Sequence, residues 1–135
     1  MGQPLNFSVL GVGAAFVDLE KAEACGFSDC DMNSDLLPAR LRRRMSFATR
    51  LALSAGERAC LDAGVALDSL PSVFASIAGE VKITDILCRA IAEQNLPVSP
   101  TQFHNSVHNT AAGYWSIATK NKHESQAIGA GENTL

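Results

Sequence analysis

No cysteine follows Cys88 in this chain of 135 residues; the four present are Cys25, Cys30, Cys60 and Cys88, and the first residues do not read as an export signal. A chain this long and apolar does not need a disulfide framework, so the four read as reduced thiols of a cytoplasmic protein. Basic residues are not in excess: 11 Lys and Arg stand against 14 Asp and Glu, a net charge of −3. That balance argues against nucleic acid as a partner, although Arg40, Arg42, Arg43 and Arg44 make one basic cluster. No apolar run is long enough to span a bilayer. Aromatics are few, with a single Trp and a single Tyr. Charged residues make up 19%, below the usual share of about a quarter. The shortfall implies more buried surface than one small domain needs, to be covered by a partner or a second half.

Cofactor motifs are incomplete. Gly11 and Gly13 begin a dinucleotide fingerprint, but Phe16 stands where its third glycine belongs. Asp29, Asp31, Asn33 and Asp35 alternate like the start of a calcium loop. Ser34 then replaces the required glycine and Arg40 the required glutamate. No Gly-x-Ser-x-Gly elbow supports a hydrolase triad built on Ser106 and His108. No cofactor is therefore expected.

What is present is alternation of strands and helices. Residues 5–17 read as a first strand with a tight turn at the glycines, and 18–37 as solvated loop. Met45, Ala48, Leu51, Ala52, Ala55, Ala59 and Ala63 recur at helical spacing. They define a small-residue face, widely buried, with Ser46 as N-cap and Gly64 just past the end. The arginines before it read as a solvated turn, or alternatively as a contact for an anionic carrier protein. Residues 72–79 read as a buried strand. Residues 80–95 read as an amphipathic helix, with Glu80 at its positive end and Cys88 half-buried. Two prolines make 96–103 an extended loop. A helix over 106–119 follows, whose Gly113 permits close packing, then a polar turn at 120–124 and a buried strand at 125–131. The order implies one α/β domain.

Chemistry gathers in 97–135. His104 and His108 are four apart and, with Cys25 and Cys30, sketch a zinc site. The spacing matches such sites only loosely, and one histidine in the loop with one at the helix start is the plainer reading, with no metal bound. Glu132 lies just past a small-residue strand, where α/β folds place reactive groups; from the residues alone it reads as a charge near a helix start rather than as an acid or base.

The order RRRMSFATRLALSAGERACLDAG, SVFASIAGE and SPTQFHNSVHNTAAGYWSIAT resembles the N-terminal half of a β-ketoacyl synthase over nearly the whole chain. It is most similar to the chain-length-factor-like branch associated with fatty-acid-type and aryl-polyene pathways. The most specific part is residues 103–119, with Asn105, Ser106, His108, Asn109 and Gly113 as substrate or interface candidates. The resemblance implies a thiolase-like α/β fold, of which residues 1–135 supply a single partial domain, incomplete at the C-terminus. It implies pairing through the first half, near the helix at 106–119, and a partner that is either an active ketosynthase subunit or a second copy. It also implies commerce with an acyl carrier protein.

The reaction it implies is condensation through an acyl-cysteine, a 3-oxoacyl-carrier-protein synthase type of acyl transfer. Laying SQAIGAGENTL on the family's nucleophile segment puts Glu132 where that cysteine stands, and the family's second-half histidines have no match. The expectation is a synthase-like subunit without its nucleophile, acting as a chain-length-factor-like partner. Alternatives are acyl transfer using Glu132, a stand-alone acyl-thioester or carrier-binding module, and a truncated remnant. An unpaired strand edge near Leu135 leads us to expect self-association of this segment.

Overall fold

A computed structural model describes residues 8–15, 24, 36–93 and 98–134. Within them the chain runs α1 (Ala39–Arg42), α2 (Phe47–Asp62), β1 (Ser72–Ala75), α3 (Val81–Ala92), α4 (Pro100–His104), α5 (Thr110–Thr119), β2 (Ser125–Ile128) and a 3-10 turn (Gly131–Asn133). β1 and β2 are parallel neighbours, with Ser72 opposite Ser125 and Ala75 opposite Ile128. A parallel pair needs a long crossover, and α3, α4 and α5 supply it.

α2 begins and ends where its sequence says. The Ser46 hydroxyl accepts the Thr49 N–H at 2.9 Å, and Gly64 takes the left-handed conformation at φ +65° just after the Ala63 C-cap. Its faces are used differently from the expected broad small-residue surface. The buried residues are Thr49, Leu53 and Ser54, with Leu53 at 0% exposure, while the alanines are at most half-buried. On the inner side Leu53 joins Leu37, Met45, Tyr114 and Trp115 in the core, with Phe74 and Ala118 packed against them. The Trp115 ring lies 3.2 Å from where a Cβ on Gly56 would be, and meets Phe74 edge-on at 6.2 Å.

On another side of α2 lies the segment 8–15, which carries no strand, contrary to expectation. The remainder of the expected 5–17 strand lies outside the described residues, as do Cys25, Cys30 and the aspartates of 29–35. A Cβ on Gly11 or Gly13 would collide with α2 backbone at Ala55, Ala59 and Ala63. Here the Gly-x-Gly pair serves close approach to alanines. The segment is pinned by the Val12 N–H donating to the Asp62 carboxylate at 2.9 Å and by Arg58 donating to the Ala14 carbonyl at 2.8 Å.

Other boundaries move for local reasons. The expected extended loop at 96–103 contains α4 in its described part, because Pro100 occupies the first helical turn, where a missing N–H costs nothing, and Ser99 caps it. α5 starts at Thr110 rather than 106. The Ser106 hydroxyl donates to the Phe103 carbonyl at 2.8 Å and the Thr110 hydroxyl to the Val107 carbonyl at 2.6 Å, which holds 106–109 in turns. The strands are shorter than expected and are not buried on both faces. Val73 and Ile128 are exposed, while Phe74 reaches the core cluster. On α3 only Leu87 is buried, and Cys88 is exposed rather than half-buried.

Two substitutions measure these contacts. Leu53→Ala is expected to cost about 2–5 kcal/mol, as for other fully buried leucines. Ser46→Ala is expected to cost about 1 kcal/mol through loss of the cap. Urea unfolding of both variants checks the order, and a smaller loss at Leu53 than at Ser46 contradicts this core.

Candidate functional site

Ser46 opens α2 with Thr49, not an acid, at the third helical position, so the usual capping-box glutamate is missing from its own turn. Glu80 supplies a carboxylate from 34 residues away. Beyond β1 the chain turns sharply: Gly79 adopts φ +53° and its N–H donates to the Ser76 hydroxyl at 2.9 Å. That turn brings Glu80, at the N-cap position of α3, to the start of α2. Its Oε1 accepts both the Ser46 hydroxyl at 2.6 Å and the Thr49 hydroxyl at 2.7 Å. Glu80 makes no cap bond to its own helix. Instead one negative charge sits at the positive ends of two helices, where it is favoured.

Two cavities flank this carboxylate at the C-terminal ends of the parallel strands. One, of about 260 Å³, is lined by Ser76, Glu80, Thr84, Ser106, His108 and Gly131 among others. The second, of about 190 Å³, lies between Thr49, Ala52, Phe74, Glu80, His108 and Ala111. Glu80 and His108 face both. Glu132 follows Gly131 on the exposed 3-10 turn. The Thr134 hydroxyl holds that turn, accepting the Ala130 N–H at 2.9 Å and donating to the Gly131 carbonyl at 2.7 Å.

The remaining sequence candidates separate into two places. Ser106 and His108 line the strand-end cavity, whereas Gly113 and Asn109 line a groove of about 390 Å³ with Phe103, His104, Val107 and Ile117. His104 there stands edge-on to Tyr114 at 6.1 Å. The two histidines thus line different cavities, and the two cysteines of the sketched zinc site lie outside the described residues. Among the described residues no group of three His, Cys, Asp or Glu side chains could hold a metal. Gly113, expected to admit a close neighbour, has nothing within 4 Å of where its Cβ would be.

Asn105 is buried and acts as a tie. Its amide donates to the Arg44 carbonyl, its Oδ1 accepts the Tyr114 hydroxyl at 3.2 Å, and its carbonyl accepts the Thr110 hydroxyl at 3.3 Å. The basic run is thereby fastened to the α4–α5 turn. Burial pushes the Tyr114 phenol above its ordinary value, with the charge of Arg44 partly offsetting it.

Sequence reasoning passed over Thr49 and Asn121, and saw Glu80 only as a charge near a helix end. The buried Asn121 amide donates to the carbonyls of Leu67 and Leu70 at 3.2 and 2.8 Å, and its Oδ1 accepts the His123 N–H at 2.8 Å. The one available signal for Glu80 was the capping box lacking its acid.

Because the neutral phenol of Tyr114 is favoured in the fold, its contribution is full below the ordinary phenol value of 10.0 and is lost as pH rises through the raised folded value. Tyr114→Phe is expected to lower stability at neutral pH by about 1 kcal/mol, the worth of one hydrogen bond, and to flatten the alkaline fall. Unfolding midpoints between pH 8 and 11 check this, and an unchanged alkaline slope contradicts it.

Comparison with known proteins places this arrangement. Residues 20–135 match the family model described as "Beta-ketoacyl synthase, N-terminal domain". No curated protein matches the chain. Among solved structures, a chain of the ketosynthase ApeO in complex with its chain length factor ApeC, from Xenorhabdus doucetiae, is similar at 26% identity and a TM-score of 0.66. The alignment covers 93% of this chain and 54% of that one, so this chain spans about half the length of its structural relative. The mixed α/β architecture is that of the thiolase-like N-terminal half of a ketosynthase. With the family model covering most of its residues, the chain belongs to the β-ketoacyl synthase N-terminal domain family.

Proposed function

We propose that this chain works in acyl-chain assembly of the aryl-polyene type as a non-catalytic, chain-length-factor-like partner of an active ketosynthase, in the cytoplasm. The observation that carries the reading is Glu132, on the exposed turn beyond β2, at the position where the family resemblance puts the acyl-accepting cysteine. Forming an acyl-enzyme requires a thiolate with a lowered pKa. The two described cysteines do not offer one at that place. Cys60 lies on α2, its thiol pushed up by burial, and Cys88 lies on α3. Likeness to a chain from a ketosynthase–chain length factor pair supports the partnership. Among the described residues no helix is long and apolar enough to cross a membrane.

The same reading includes an acyl carrier protein. Arg42, Arg43 and Arg50 line a shallow depression beside α1, and the buried Nε of Arg50 has no hydrogen-bond partner there. An acidic carrier surface would supply acceptors to this patch on a chain that is otherwise net negative.

Intact-protein mass after incubation with an acyl-carrier thioester tests the central point. No covalent adduct is expected on this chain, while a co-incubated active synthase acquires one; an acyl adduct here overturns the non-catalytic reading. For the carrier, the double variant Arg42→Glu/Arg43→Glu is expected to weaken binding about tenfold at low salt, with the difference shrinking as salt screens the patch. Equal binding by the two proteins removes the arginines from the reading.

A further inference from the structure

Two walls of the strand-end cavities hang from one short segment. One wall is the turn after β1, which ends in Glu80; there Oε1 accepts the Ser46 and Thr49 hydroxyls at 2.6 and 2.7 Å. The other is the turn between α4 and α5, which carries Ser106 and His108; there the Asn105 amide donates to the Arg44 carbonyl. All three anchor points lie within residues 44–49, which join α1 to the first turn of α2. The same segment is bracketed by the basic depression. Arg42 and Arg43 come before it, Arg50 directly after it, and all three line that depression. On its α1 side the segment has little support, since α1 is four residues long and buries none of them. A helix that short does not stand alone. A partner seated in the depression touches the segment at both ends. Ordering both ends makes local opening of what hangs between them costlier.

We infer that residues 44–49 act as a strut through which an anionic partner at the arginines tightens the strand-end cavities. This rests on the carrier reading of the arginines given above. Glu80 is the positioning residue of one wall and Asn105 that of the other. The two ties differ in what else they hold. Asn105 is buried and also binds Tyr114 and Thr110, whereas Glu80 is half-buried. Removing the Glu80 carboxylate leaves the α2 cap in place, because the Ser46 hydroxyl still accepts the Thr49 N–H.

Residue-resolved amide exchange of the full chain tests this, with and without a saturating holo acyl carrier protein at low salt. The reporters are the Gly79 N–H, bonded to the Ser76 hydroxyl, and the Thr110 N–H, bonded to the Val107 carbonyl, one in each wall. In wild type the carrier is expected to slow both about fivefold, along with the amides of 44–50. Glu80→Ala is expected to lose the slowing at Gly79 and keep it at Thr110, while Glu80→Gln, which retains the acceptor oxygen, keeps both. A merely structural role for Glu80 would speed Gly79 exchange equally with and without carrier, so the ratio isolates the coupling. Thermal unfolding is the folding control. Should Glu80→Ala not fold, Thr49→Val removes one donor at nearly constant shape and is expected to reduce the Gly79 ratio in part. If the carrier slows 44–50 alone, or if the alanine or valine variant keeps the wild-type ratio at Gly79, the strut is wrong and the carrier reading stands. If the carrier leaves even 44–50 unchanged, the carrier reading fails and the strut with it.

Discussion

The Trp115 ring lies against the bare backbone of Gly56, and this contact brings α5 close to α2. Any side chain at Gly56 would have to displace the indole, which is also wedged against Phe74 of β1. Through that wedge the two helices and the strand are placed at once. Leu53 and Tyr114 belong to the same buried cluster as Trp115, and Tyr114 reaches Asn105. The order of dependence runs from packing to polar geometry. With α5 at a different distance, Asn105 could not join Arg44 to Tyr114, and the α4–α5 turn would lose its fixed shape. Well-packed interiors transmit such displacements rather than absorb them.

A second constraint acts at the strand ends. Glu80 is where two helix N-termini meet, and its two hydroxyl donors come from a different helix than the one it begins. A single carboxylate thus joins the start of α2 to the start of α3, and the adjoining cavities inherit a polar wall. The strand-end cavities are therefore bordered by hydrogen-bonded groups, while the surface farther along α5 is apolar and open.

How much of this the sequence discloses depends on the range of the interaction. The caps of α2 are local, made by Ser46 and Gly64 within a turn of the helix, and they are legible in the residues alone. So is the alternation that produces β1, α3, α5 and β2. The start of α4 was legible in principle, since proline at a first helical turn is favourable, but two nearby prolines argued more loudly for extension. The role of Glu80 was not legible, because its partners are more than thirty residues away and only folding brings them together. The glycines illustrate the same limit. Gly11 and Gly13 suggested a nucleotide turn, and their use is close packing on alanines. Gly113 suggested packing, and among the described residues nothing lies within 4 Å of where its Cβ would be. A glycine announces that space is needed without saying what needs it. At the candidate site, Glu132 was singled out by likeness to a family, and the structure places it on an exposed 3-10 turn.

Several large apolar side chains stand outside the core: Val73 on β1, Ile128 on β2, and Ile77 in the loop between β1 and α3, all exposed. Surfaces of this kind are what chaperones and proteases recognise in a cell. Left uncovered, these side chains would make the lifetime of the domain in a cell depend on whether another surface covers them.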